Sequence, residues 1–229
     1  MKTVVLSGSL GATGEMWDAQ ADALRDFDVV RIDHPGHDGE PMIEVRDVGD
    51  LARRVLDTVQ SERFSFVGLS LGGAVGMQLA LDASERLDRL VLACTSARFG
   101  DAQGRDERIE LVRARGMEAV ADLVLPRWFT PAFGDVQRFR AMFLATPPET
   151  YVRYCEILRE FDLRGELGAV EAPTLAVAGA ADPTSPPEQV EALAEEIPNA
   201  SFVSIPRAAH MANVERPTEF NDAVGAHLE

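Results

Sequence analysis

Three residues far apart in the chain carry the side-chain types that acyl transfer by a serine needs: Ser70, Asp182 and His210. A serine hydroxyl is a weak nucleophile until a base takes its proton. An imidazole is suited to that near neutral pH, and a carboxylate must fix its tautomer and stabilise the imidazolium. Ser70 is the centre of Gly68-Leu69-Ser70-Leu71-Gly72, where the apolar run Phe64-Ser65-Phe66-Val67 passes into a helical pattern. That junction is the context a G-x-S-x-G elbow requires: a strained turn lifts the hydroxyl off the sheet and sets it at a helix N-terminus. The pentapeptide alone occurs by chance. Its weight comes from an Asp and a His that follow in order, each just past a later strand.

Of four histidines, His210 is the one placed as a base, in the loop Pro206-Arg207-Ala208-Ala209-His210-Met211 beyond the final strand. Asp182 follows the fifth strand in Gly179-Ala180-Ala181-Asp182-Pro183-Thr184-Ser185-Pro186, a turn that two prolines stiffen. Asp162 is the rival acid, and it falls in or just after a helical pattern. The fourth strand ends Cys94-Thr95-Ser96, with no carboxylate there. His34 and His37, in Asp33-His34-Pro35-Gly36-His37, invite a metal reading, but no Cys or Glu cluster completes a ligand set. They read as loop formers, and His227 as a solvated residue. A tetrahedral oxyanion needs two backbone donors. Leu71 N–H, directly after Ser70, is one; Leu10 N–H, in the turn Ser7-Gly8-Ser9-Leu10-Gly11, is assigned as the other. A phosphate-cradling reading of that turn lacks both G-x-G-x-x-G and G-K-S/T.

The elements that must position these residues alternate. Apolar runs at Thr3–Leu6, Val29–Ile32, Phe64–Val67, Leu90–Ala93, Thr174–Ala178 and Phe202–Ile205 read as strands covered on both faces. Between them lie helical patterns at Trp17–Arg25, Val48–Gln60, Leu71–Leu81, Glu188–Glu196 and Pro217–Leu228. This predicts an α/β fold: an open, doubly wound, mostly parallel sheet of about six strands in one domain, residues 1–229. From about 97 to 167 no strand pattern occurs. Several helices, punctuated by Gly104, Gly116, Pro126, Pro131 and Pro147-Pro148, are expected to form a lid at the carboxyl edge. Val29–Ile32 is expected at the edge of the sheet, exposed unless something covers it.

Composition narrows the partners. The formal net charge is -16, from 38 Asp and Glu against 22 Lys and Arg. So acidic a surface repels nucleic acid and anionic lipid, and neither is expected as a partner. An anionic small molecule would need a local arginine to offset that field. Cys94 and Cys155 lack metal-ligand spacing and read as buried thiols in a reducing compartment. No basic-then-apolar leader and no run of membrane-spanning length is present, so a cytoplasmic location is expected. No cofactor and no metal is expected, and oligomeric state is not legible.

The motifs together resemble those of 3-oxoadipate enol-lactone hydrolases within the α/β-hydrolase superfamily. They are the elbow GLSLGG, the early SLGATGEMWDAQ, the stretch RLVLACTSARFG, the lid segment RWFTPAF, and the tail segments APTLAVAGAADPTSPPEQ and AAHMANVERP. The elbow and histidine loop mark only the superfamily, whereas the SLG-to-MW and RWFTP stretches are more specific. The order Ser70, Asp182, His210 is that superfamily's, not that of trypsin or subtilisin. The resemblance implies the triad roles for those residues and a small ester or lactone as substrate. The ring would open to an enolate that becomes a ketone. It also implies a partner for the substrate's carboxylate, for which Arg127 beside Trp128 is the candidate. Two departures stand out: no β-hairpin pattern precedes the first strand, and DHPGHDGEP replaces the usual Gly-His-Gly-x-Ser turn. Other readings on this fold stay open: a general esterase, a perhydrolase, a carbon–carbon bond hydrolase, or a non-catalytic receptor.

Overall fold

All six apolar runs join one parallel sheet, in the order β2-β1-β3-β4-β5-β6, in the computed structural model, which describes all 229 residues. The strands are β1 (Thr3–Ser7), β2 (Asp28–Ile32), β3 (Phe64–Leu69), β4 (Leu87–Ala93), β5 (Thr174–Gly179) and β6 (Ala200–Ile205). β1, β3 and β5 are buried at every position. A strand covered on both faces has no polar side to show, which is why these read as unbroken apolar runs. β2 is an edge strand, and only Ile32 in it is fully buried. Its exposed Asp28 and Arg31 put charge on the open edge, a device against strand-to-strand aggregation.

Three helices precede the insertion: α1 (Asp18–Ala23), α2 (Val48–Thr58) and α3 (Leu71–Asp82). α2 shows why the local reading worked. Its buried residues Val48, Leu51, Ala52 and Val55 follow the helical period, and the Asp47 carboxylate caps it by accepting from Asp50 N–H at 2.9 Å. α3 is apolar almost all round and is buried from Leu71 to Met77, as a helix wedged between sheet and neighbours must be. The insertion holds α4 (Ala102–Trp128), α5 (Val136–Leu144) and α6 (Pro148–Glu160). The chain then closes with α7 (Pro187–Glu196), the single turn α8 (Ala212–Glu215) and α9 (Pro217–Leu228).

Punctuation in the insertion differs from the sequence reading. Gly116 does bend α4, with φ 72°, but Gly104 and Pro126 do not end a helix. Gly104 lies in the first turn, where its N–H is taken by the Asp101 cap at 2.7 Å, and Pro126 lies in the last turn. The two ends of the insertion are pinned by an Arg98–Asp162 antiparallel bridge and by Leu163 N–H donating to Ala97 O at 2.9 Å. His227 is also corrected. It is half-buried, with Nε2 3.2 Å from Pro173 O, because α9 packs its last turn against the start of β5. Both cysteines are buried and unpaired. No helix is long and apolar enough to cross a membrane.

Candidate functional site

The strand order reverses between β1 and β3, and in such sheets ligands bind in the crevice outside the strand carboxyl ends at that point. The β1–β3 register pairs Ser7 with Gly68, so the turns after the two strands lie side by side. Ser70 has φ 58° and ψ -111°, a strained conformation for a residue with a side chain. The flanking glycines are dictated by space. A Cβ on Gly68 would sit 2.2 Å from Gly72 O, and one on Gly72 would sit 2.0 Å from Ser7 O. Ser70 N–H donates to Ala93 O at 2.9 Å, and Ser70 O accepts from Thr95 Oγ1 at 2.8 Å. These bonds to β4 and its end hold the turn against its strain.

Asp182 and His210 meet at the far side of the crevice. Asp182 Oδ2 lies 2.8 Å from His210 Nδ1, and the two side chains are 0% and 2% exposed. Asp182 Oδ1 accepts from Thr184 N–H at 2.7 Å and Ser185 N–H at 3.2 Å, so the carboxylate cannot swing. Ser185 Oγ ties that turn to Cys94 O. With Nδ1–H given to Asp182, the remaining ring nitrogen of His210 is an acceptor. Ser70 and His210 line one cavity, with no hydrogen bond between them. Such bonds are often long without substrate. Asp162 does not take part: it sits at the root of the insertion, where Arg164 holds its carboxyl down to about 2.

The histidine loop is fastened to the insertion. His210 N–H donates to Arg127 O at 3.4 Å and Met211 N–H to Trp128 O at 2.9 Å. Glu215 completes the clamp. One oxygen accepts from Ala209 N–H at 2.6 Å, the other from Thr130 N–H at 3.0 Å and Thr130 Oγ1 at 2.7 Å. The last turn of α4 and the loop bearing the imidazole therefore form one unit.

Two residues read only as loop formers act on the turn after β1. Gly8 O is held by Gly72 N–H at 3.0 Å and by His34 Nε2 at 3.1 Å, while Gly11 N–H donates to His37 Nε2 at 3.1 Å. The peptides on either side of the Ser9–Leu10 peptide are thus pinned, and the Leu10 N–H is left without a backbone acceptor, as is Leu71 N–H. Both rings are buried and packed edgewise against Tyr154 of α6 or each other. No three His, Cys, Asp or Glu side chains are grouped to hold a metal ion. Burial pushes His34 down to about 3, with the His37 charge adding, and His37 down to about 4. Folded values below the ordinary 6.5 mean the unfolded chain binds more protons between about 4 and 6.5. Stability contributed by the neutral rings is therefore lost as pH falls through that window. A His37→Gln variant keeps an acceptor for Gly11 but cannot take a proton, so its melting temperature should fall less between pH 6.5 and 4. An unchanged acid slope would show that His37 does not titrate with unfolding.

Leu10, Arg127 and Trp128 all line the cavity with Ser70 and His210; Leu71 does not, since its side chain is buried at the head of α3. Trp128 is 3% exposed and packs on Phe143, whereas Arg127 is exposed at the rim. The sequence reading passed over Arg105 and Arg108, which also line the cavity. A signal existed: both share a helical face with the buried Ile109 and Val112, an unusual place for arginine.

Comparison with known proteins agrees with the fold. A model described as the alpha/beta hydrolase family matches residues 4–223. The 3-oxoadipate enol-lactonase 2 of Acinetobacter baylyi is 32% identical, across 99% of this chain and 88% of its own. A RutD protein of Rhizobium rhizogenes, provisionally named a carbamate hydrolase, is 31% identical across 97% of this chain and 91% of its own. The crystal structure of the enol-lactonase from Burkholderia xenovorans LB400 superposes with a TM-score of 0.95 at 35% identity, covering 99% of this chain and 91% of that one.

Proposed function

The chain belongs to the alpha/beta hydrolase family and is a hydrolase of esters or lactones, and on that premise we propose that it opens 3-oxoadipate enol-lactone with Ser70 as nucleophile. The observation that carries this reading is the buried Asp182–His210 pair, at 2.8 Å, whose imidazole lines the cavity that also holds the strained Ser70. Ser70 Oγ attacks the ring carbonyl and its proton passes to the free nitrogen of His210; Asp182 stabilises the imidazolium. The oxyanion takes hydrogen bonds from Leu10 and Leu71 N–H. Collapse breaks the ring C–O bond and releases an enolate, which needs little acid assistance to leave and becomes a ketone on taking a proton at carbon. Water then attacks the acyl-enzyme with His210 as base, giving the second carboxylate and restoring Ser70.

α4 to α6 act as a lid within this one domain, residues about 97–167, and set substrate range, since fold and triad are common to many hydrolases. Trp128 supplies an apolar wall, and the arginines of the cavity face the substrate's carboxylate. The unpaired buried cysteines suit a reducing compartment, and we read the chain as cytoplasmic. The RutD relative supports a second reading, a carbamate as substrate of the same machinery. A turnover panel separates them: the enol-lactone, p-nitrophenyl acetate and a simple alkyl carbamate. The enol-lactone should lead in kcat/KM by at least about tenfold, a difference of 1.4 kcal/mol in transition-state binding. A carbamate that leads instead would replace the lactone assignment.

A further inference from the structure

Hydroxyl groups near the elbow are mostly tied into the fold. Thr95 Oγ1 donates to Ser70 O at 2.8 Å, and Ser185 Oγ donates to Cys94 O at 3.1 Å. Ser9 differs. It lines the cavity with Leu10 and Ser70 and is 2% exposed, yet none of the hydrogen bonds of its turn involves its hydroxyl. Ser7 Oγ, two residues earlier, also lacks a partner but is sealed inside the fold; Ser9 Oγ is not sealed, so the space it meets is the cavity. A nearly buried hydroxyl that has given up water without gaining a partner is a cost that calls for an explanation.

Its place in the turn supplies one. Ser9 immediately precedes Leu10, whose N–H is left without a backbone acceptor. The backbone on both sides is held. Gly8 O accepts from Gly72 N–H at 3.0 Å and lies 3.1 Å from His34 Nε2; Ser9 O accepts from Ala12 N–H at 3.1 Å; Gly11 N–H donates to His37 Nε2 at 3.1 Å. The main chain that carries the hydroxyl is therefore fixed before a substrate arrives, which is what electrostatic preorganisation requires. The arginines that share the cavity are donors only and cannot satisfy a second donor. The acceptor that forms beside Leu10 N–H is the carbonyl oxygen as it takes on charge.

We infer that Ser9 is a catalytic residue, its hydroxyl acting as a third oxyanion donor beside Leu10 and Leu71 N–H. The inference rests on reading Ser70 as the nucleophile. A ground-state carbonyl oxygen is a neutral acceptor. In both tetrahedral intermediates, the one formed by Ser70 and the one formed by water, the same oxygen is an anion, and a hydrogen bond to an ionised group is roughly twice as strong. The Ser9 bond therefore grows on the way to the transition state and raises the rate. It acts on the reacting carbonyl, which every ester and lactone shares, and not on the rest of the substrate.

Ser9→Ala should lower kcat/KM at least about tenfold, the size of a lost hydrogen bond to a charged group, and by similar factors for the enol-lactone and for p-nitrophenyl acetate. Its melting temperature should hold, because the hydroxyl bonds to nothing in the fold. Ser9→Cys, with a thiol of similar shape that donates weakly, should lose nearly as much. A second readout separates charge from fit: inhibition by a trifluoromethyl ketone and by the methyl ketone of the same chain. Ser70 Oγ adds to the carbonyl carbon of the first, its proton passes to His210, and the carbonyl oxygen becomes the oxyanion of a hemiketal; the second stays trigonal. The parent's preference for the trifluoromethyl ketone should shrink in Ser9→Ala about as far as kcat/KM falls. A loss confined to the enol-lactone, an undiminished preference, or unchanged turnover in Ser9→Ala would overturn the assignment. Turnover that survives in Ser70→Ala, with a parent that prefers neither ketone, would overturn the nucleophile reading and the third donor with it.

Discussion

Ser70→Ala should lower kcat for any ester or lactone by at least about 10⁴-fold, since removing a triad nucleophile costs that much or more elsewhere. What remains would come from binding and the oxyanion donors alone. The hydroxyl makes no hydrogen bond in the resting site, and Ala occupies the same strained φ of 58° no worse than Ser. The melting temperature should therefore barely move while turnover collapses. Steady-state hydrolysis beside a thermal melt checks both halves. Residual activity within about a hundredfold of the parent would remove Ser70 from the mechanism.

Asp182→Asn should cost on the order of 10⁴-fold in kcat, by the logic of the wrong tautomer. The retained amide oxygen can still accept from Thr184 and Ser185 N–H, so the turn stays in place. The new NH₂ would face His210 Nδ1 and turn that nitrogen into an acceptor, placing the ring proton on the side that must receive one from Ser70. Geometry survives and chemistry does not. Asp162→Asn is the control, because that carboxylate is spent on Arg164 and Arg98 at the root of the insertion. A mild effect at 182 with a severe one at 162 would invert the assignment.

Much of the scaffold was legible because its causes are local. A parallel strand covered on both faces must be apolar along its length, and β1, β3 and β5 are. Gly68 and Gly72 announced the elbow because no larger residue fits between β3, α3 and Ser7 O. The insertion was harder to read inside. Gly104 and Pro126 look like breakers in a string of letters, yet the N–H of one is taken by the Asp101 cap, and α4 runs past the other to Trp128 despite the lost N–H.

The sequence by itself determined the order of strands and helices, the strained turn under Ser70 and the roster of groups able to move a proton. Each depends on residues within a few positions of one another. The tertiary structure alone decided that Asp182 and not Asp162 bonds His210, that His34 and His37 pin the turn bearing Leu10, and that Arg105 and Arg108 share a cavity with Ser70. Those pairings join loops 26 to 28 residues apart or more at one rim of the sheet. A periodic pattern tells which face of a helix is buried; only the packed chain tells what it is buried against.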